Sequence, residues 1–564
     1  MIRAPAGDVR LAKEGVRAMV KWEAPGPGYW ELDRSHFVGG ETPLIQHIQA
    51  QAMPAGMRRV FAELGTPADT LDCRFVNGFM YTRLRPLIAA DRPAKNLPPR
   101  FVLKAVGRLH PEFRRRTKAA ERARIERPWR KVIADWENGG RALIESRNLA
   151  IQKVDLRELD DPTLIEHVHE VIEHCRASWE HHFWLHGYDL GPIGSFLAGC
   201  REWGVEPIDA IPLLEGASPS TVGPMYVLTR LRAVVEKSGV VPTSLAEVHA
   251  ISPAAAKDLD RYLEYRGSMM ISRYDIDGVT LAEIPDVVLS TILHGTQRAV
   301  GDGVQHRIEV IRARIPMAHQ EDFDGRLEEA RAAMDLRDDN GPTTAEWPLG
   351  LLRLALLELG RRMVSAGCAG DRTDALELRP DEITWATLNG EGPTADELAR
   401  RRAHRHDLAA LDAPLHLGEP EPAPPLELLP KPLADVVRMV QIVIEQLGMG
   451  GDRPTSGLRG VGVGDRIVRG HACRADSPEQ AIDRLRNGDV LVVPCTTPAY
   501  NAVLTLAAAI VTADGGPLSH AAVLARELGI SAVVGARGAL TEIPDGALID
   551  VDPVAGEVRV VAEA

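Results

Sequence analysis

The stretch Ala509–Gly535, AIVTADGGPLSHAAVLARELGISAVVG, constrains this chain more than any other. An apolar run ends at Thr512, a Gly515-Gly516 turn follows, a helix begins around Leu518–Ser519, and a second apolar run starts after Gly529. Apolar runs on either side of one short helix predict strands buried on both faces, the texture of a parallel sheet with helical crossovers. Similar short runs surround it: RIVRGHACRA, DVLVVP and ALIDVD, each broken by Gly, Pro or Asp. The C-terminal part, residues 451–564, is therefore expected to be a small α/β domain.

Upstream the texture differs. Segments such as DPTLIEHVHEVIEHCRASWEHHFWL (161–185), AAAKDLDRYLEY (254–265) and LGLLRLALLELGRRMV (349–364) space their apolar residues as helices do. Residues 1–412 are expected to form a large, mainly α-helical domain, with a few short strands in the first hundred residues. Between the two lies APLHLGEPEPAPPLELLPKP (413–432), whose prolines predict an extended linker, then a bridging helix over 433–448; together they span 413–450. At 564 residues the chain has room for three or four domains.

Composition narrows the function. A formal charge of −13 opposes a general role on nucleic acid or anionic membrane, both of which attract basic surfaces. The start, MIRAPAGDVRLAKEGVR, has no apolar core of a signal peptide, and no run is long enough to span a bilayer. Six scattered cysteines form no CxxC pair, so neither a disulfide framework nor a thiolate metal site is expected. These features predict a cytoplasmic protein without a bound metal.

The predicted helix start at Ser519 carries the chemistry. His520 falls in its first turn, where backbone N–H groups lack partners and the helix dipole favours an anion. Near neutral pH the free base of an imidazole is available as a nucleophile. A histidine so placed can accept a phosphoryl group, with the helix end holding its charge. Ser519 can cap the helix and donate to a phosphate oxygen.

GGPLSHAAVLARELGISAVVG resembles the phosphohistidine signature of the phosphoenolpyruvate-utilising enzymes, in their swivelling mobile domain. The likeness extends back through GDVLVVPCTTPAY (488–500) and covers about 457–562. It implies that His520 is the phosphorylated residue, with Ser519 beside it and Gly515, Gly516, Thr497 and Arg526 at phosphate-binding positions. GVGVGDRIVRGHA (460–472) departs from the usual opening of the domain, Asp465 standing where a hydroxyl is common. More distantly, YWELDRSHFVGGETPL (29–44), VNGFMY (76–81), YLEYRGSMMISRYDIDGVTLAEIPD (262–286) and LLRLALLELGRRMVSAG (351–367) resemble the acceptor-binding region of rifampicin phosphotransferase-like and phenylphosphate synthase-like proteins.

That resemblance implies a carrier that shuttles between a donor and an acceptor site. The sequence shows no GxxxxGK[ST] and nothing like the ATP-grasp domain or the phosphoenolpyruvate-binding barrel of the full-length enzymes. ATP and Mg²⁺ are thus expected on a separate ATP-grasp-type subunit, ATP giving its β-phosphate to His520. The expected acceptor is a small hydroxyl compound, first a phenol or alkylphenol, second a rifamycin-type antibiotic. A non-catalytic regulatory protein retaining the carrier fold, or a self-sufficient phosphoenolpyruvate-using enzyme, are the competing readings.

Transfer to a hydroxyl calls for a cationic clamp and a group to take the proton. Arg353 lies where the rifampicin phosphotransferase-like proteins place a basic residue near the acceptor; a solvated helix face is the plain alternative. Arg266 and Arg273 flank YRGSMMISRYD, where ion pairing with Asp275 or Glu283 competes with substrate binding. The histidines at 167, 174 and 181 recur every seven residues over about 21 Å of helix, too far apart for one metal. His181 or His182, beside Phe183, Trp184 and His186, is a candidate base, and His36 a further acceptor-site candidate.

Overall fold

The computed structural model describes residues 20–34, 36–92, 96–295, 303–448, 457–496 and 500–562. Most of them are helical, and an α/β region closes the chain.

The helical body is built on α1 (Pro43–Leu64) and the 42-residue α2 (Asp161–Glu202). Asp160 starts α2: its carboxylate accepts the Thr163 N–H at 2.9 Å, and Pro162 occupies the first turn, where no donor is needed. Two further helices, α3 (Gln320–Gly341) and α4 (Trp347–Ser365), follow one another across a π-helical turn, Pro342–Glu346. Pro342 has no N–H to give the ladder, and the backbone slips by one residue there. The slip turns Thr343, Thr344 and Glu346 into the interior, where all three are buried. Small strands cap the body: β1 (Trp30–Leu32), β2 (Ala68–Val76), β3 (Phe79–Pro86) and β4 (His416–Leu417), in the antiparallel order β2-β3-β1-β4.

The segment expected to be an extended linker is tied to this body. Leu417 pairs with Trp30, and Tyr81 Oη donates to the Pro414 carbonyl at 2.8 Å. The bridging helix, α5 (Lys431–Leu447), is packed on α2 through buried Ile442 and Val443, and on the helix Pro111–Glu126 through buried Leu433 and Val436. It comes so close that a Cβ on Gly194 would lie 2.4 Å from the Met439 carbonyl oxygen. Proline-rich composition predicts extended backbone correctly here but says nothing about what that backbone lies against.

The C-terminal region is a seven-stranded sheet of β5 (Val461–Val463), β6 (Val468–Arg474), β7 (Val490–Val493), β8 (Ala509–Thr512), β9 (Ser531–Val534), β10 (Leu548–Asp552) and β11 (Glu557–Ala562), in the order β11-β10-β6-β7-β8-β9-β5. The four central strands run parallel, and every residue of β7, β8 and β9 is buried. The helix between β8 and β9 is α6 (His520–Leu528).

The α/β module sits on the helical body through its α6 side. Leu518 and Val523 share an apolar cluster with Ile211, Leu214 and Met334. Across the same boundary Gly216 N–H donates to Glu527 Oε1 at 2.9 Å, and Leu518 N–H to the Gln446 carbonyl at 2.9 Å. No helix among the described residues is long and apolar enough to cross a membrane.

Candidate functional site

His520 is the first residue of α6, and its side chain meets the helical body. Two glycines build the approach. Gly515 has φ +122°, a conformation that L side chains rarely adopt. A Cβ on Gly516 would stand 2.4 Å from the Gln446 carbonyl oxygen, so this turn can lie against the end of α5 only without a side chain. Both glycines, expected at phosphate-binding positions, are thus accounted for by backbone shape and close approach. Ser519 is the N-cap by backbone position alone: its hydroxyl makes no cap hydrogen bond, and its Oγ is buried without a partner. Arg526 donates to the Pro517 carbonyl at 2.5 Å, bracing the loop that leads into His520. Thr497 lies outside the described residues; its neighbour Thr496 is buried, with Oγ1 2.9 Å from His520 Nδ1. That bond occupies Nδ1 and leaves Nε2 as the nitrogen free to bond phosphorus.

The ring is part-buried, and its basicity is suppressed to about 3, first by burial and then by the positive charges of Arg337 and His36. His520 is accordingly a neutral imidazole at any ordinary pH, the form a nucleophile requires. Arg337, on α3, donates through Nη2 to the Leu518 carbonyl at 3.3 Å, while its Nη1 is buried without a partner. One guanidinium N–H and one hydroxyl thus stand unpaired beside a neutral histidine at a helix start.

His36 faces the same place from the loop between β1 and α1. Its Nδ1 is 3.1 Å from Asp33 Oδ2, and its backbone N–H donates to Asp33 Oδ1 at 2.7 Å. The side chain is 49% exposed, so the face of the ring away from Asp33 is open. Burial opposes its protonation, but the Asp33 carboxylate outweighs that, and the net effect raises its affinity for a proton.

Aromatic rings stand behind His36. Tyr274 lies 6.2 Å away, Trp179 meets Tyr274 edge to face at 5.6 Å, and Phe37 lies 6.3 Å from Tyr274. Glu346 on the π turn acts electrostatically on Tyr274; burial pushes its own carboxyl up to about 8 despite Arg266, and its Oε1 has no partner. His182 is fully engaged: Nδ1 is 3.1 Å from Thr344 Oγ1, Nε2 is 3.1 Å from His186 Nε2, and His186 Nδ1 is 2.8 Å from Asp189 Oδ2. Burial, first, and the neighbouring His186 hold His182 well below the ordinary histidine range.

The other two arginines singled out in the sequence brace a loop. Arg353 grips Glu283 with two bonds of 2.9 and 2.8 Å and donates to the Ile276 carbonyl at 2.8 Å. Arg273 pairs with Glu41 at 2.7 Å, and the nearby Asp275 receives both the N–H and the hydroxyl of Thr42. These bonds staple residues 273–283 to α1 and α4, and no described contact brings either arginine to His520. Arg266 acts electrostatically on Glu346. His174 bonds Asn148 at 2.7 Å, and His181 lies between Trp136 and Trp184.

Arg337, Thr496, Tyr274 and Glu346 went unmarked in the sequence reading. Nothing in LRDDN around Arg337 separates it from a solvated helix face. Pro342 was the available hint for Glu346, since a proline inside a helical run marks a place where the ladder must change. Among the described residues no three His, Cys, Asp or Glu side chains converge as metal ligands.

A neutral histidine opening an α/β crossover helix, beside unpaired donors, is the arrangement expected of a histidine carrier module. Residues 485–556 match the family described as PEP-utilising enzyme, mobile domain. The chain thus carries a segment similar to the mobile domain of the phosphoenolpyruvate-utilising enzymes. Its relatives include an uncharacterised protein of Mycobacterium tuberculosis, 39% identical over 212 residues, 37% of this chain and 22% of that one. An uncharacterised phosphotransferase of Bacillus subtilis is 32% identical over 213 residues, 38% of this chain and 24% of its own length. Chondramide synthase of Chondromyces crocatus is 27% identical over 590 residues, covering 96% of this chain and 14% of the synthase. The chain thus spans under a quarter of each, and the match to the synthase runs through helical body and carrier module together.

Proposed function

We propose that this protein is a phosphotransferase component in which His520 carries a phosphoryl group to the hydroxyl of a small organic acceptor, bound where the carrier module meets the helical body. The observation that carries the reading is the neutral His520, its Nε2 free, set against the unpaired Nη1 of Arg337 at the boundary of the two parts. Arg337 and Ser519 hold the phosphoryl oxygens, since charge-assisted bonds from a guanidinium and a buried hydroxyl suit a dianion. The partly exposed Tyr274 ring beside His36 suits a flat ring, which supports a phenol or alkylphenol over a bulky macrocycle such as a rifamycin.

The donor in this reading is ATP with Mg²⁺, held by a separate ATP-grasp-type subunit; the described residues between 20 and 448 form a helical body and a small antiparallel sheet. For the carrier to reach a donor, the module must leave the position described here and swing, as tethered carriers do.

The test is incubation with [β-³²P]ATP, with and without an ATP-binding protein encoded nearby. Acid-labile, alkali-stable label on this chain, absent in His520→Ala and chased onto a phenol, is the expected result. Labelling without the second protein overturns the split arrangement, and labelling from phosphoenolpyruvate alone supports the self-sufficient alternative. No label on His520 under any donor overturns the carrier reading.

A further inference from the structure

We infer that His36, held by Asp33, is the base that takes the proton of the acceptor hydroxyl during transfer from His520; the inference rests on the function proposed above. Asp33 accepts from both the backbone N–H and the Nδ1 of His36, at 2.7 and 3.1 Å. A carboxylate on Nδ1 keeps the proton there and leaves the Nε2 lone pair outward, the arrangement by which a base is oriented and its protonated form stabilised. His36 Nε2 has no partner among the described residues, and the side chain is 49% exposed, so the ring is open to an acceptor. The charges of His36 and Arg337 both act on His520, and that of Arg337 acts on His36 as well, so the three side chains form one cluster.

The two other candidate bases are worse placed. Both ring nitrogens of His182 are engaged, and its side chain is 7% exposed. Glu346 keeps its proton at neutral pH, and the groups that act on His520 are Arg337 and His36. Glu346 is suited to donating a hydrogen bond to the acceptor, not to removing its proton.

The step balances. The acceptor O–H proton passes to His36 Nε2 while the oxygen bonds phosphorus. The bond between phosphorus and His520 Nε2 breaks, and its electron pair returns to the ring. Nδ1 of His520 keeps its proton against Thr496, so the imidazole leaves neutral. The His36 imidazolium, paired with Asp33, then releases its proton to solvent.

The test needs no donor subunit. The full chain is loaded with phosphoramidate, His520→Ala serving as the blank, and then chased with phenol or with 4-nitrophenol, which is largely ionised at pH 8. His36→Gln is expected to load normally and to lose transfer to phenol by 10²–10⁴-fold, on the order that a positioned base contributes. Transfer to 4-nitrophenolate, which brings no proton, changes little; a merely structural role would move both. Asp33→Asn, which leaves the ring but not its orientation, loses the phenol reaction as well. In buffer alone water replaces the acceptor, and phosphate leaves His520 more slowly in His36→Gln. A wild-type chain that loads but phosphorylates no phenol, with this slowing still seen, removes the phenol and keeps the base. Variants that match the wild type with both phenol and water overturn the inference, and a wild-type chain that cannot be loaded on His520 overturns the function beneath it.

Discussion

Arg337 reaches across the domain boundary with one guanidinium nitrogen bonded to the Leu518 carbonyl and the other buried and unpaired. A buried donor left without a partner costs about 1–3 kcal/mol, so it is tolerated where a ligand completes it. Arg337→Met is therefore expected to slow transfer from phospho-His520 to the acceptor by about 10²–10³-fold, the effect of losing one donor to a developing anion. Single-turnover chase of the loaded chain measures it, with His520 loading as the control. Glu346 makes a second residue-scale prediction. Its carboxyl binds a proton more tightly folded than unfolded, up to about 8 against an ordinary 4.5. Stability is full below pH 4.5 and falls as pH rises toward 8. Glu346→Gln removes the titrating group, so its melting temperature should exceed that of the wild type at pH 8, with the gain gone at pH 4.5. His520 was legible from its place in a helix start; Arg337 and Glu346 were not, because what distinguishes them is a missing partner, and partners are supplied by other segments.

At the scale of elements, the Gly515-Gly516 turn joins two parts of the molecule. A methyl group on Gly516 would press into the Gln446 carbonyl at 2.4 Å, against backbone at the end of α5. Gly516→Ala should therefore loosen the docked module, at about 1–3 kcal/mol of overpacking, and reduce transfer to the acceptor while His520 is still phosphorylated by the donor. Parallel single-turnover assays of the two half-reactions distinguish this from unfolding. The crossover helix and its flanking strands were readable because apolar runs between turn residues have one good solution, burial on both faces. The extended reading of 413–432 was readable too, from its prolines. That Leu417 would pair with Trp30, or that α5 would lie along α2 at Gly194, was not, since both depend on segments more than two hundred residues away.

For the whole molecule, the decisive feature is the apolar contact that seats the carrier module. Val523 and Leu518 lie among Ile211, Leu214 and Met334. Val523→Asp would bury an unpaired charge there, which the contact cannot satisfy. The module should then separate from the helical body, seen as a larger radius in solution scattering, with its own sheet intact by circular dichroism. Phosphorylation of His520 should survive and transfer to the acceptor should not, since the reacting groups are no longer held together. A scattering profile unchanged from the wild type would show that this contact does not hold the two parts together.

Sequence alone determined the helical and α/β division and the placement of His520 at a helix start, because hydrophobic period and turn chemistry act over a few residues. It also left Arg273 between a site and an ion pair, and Arg353 between a site and a solvated helix face. That both arginines are held by carboxylates, and that the charges of His36 and Arg337 act on His520, was decided by tertiary packing. Charges pair with whatever the fold brings near, and no local pattern records the other end of the pair.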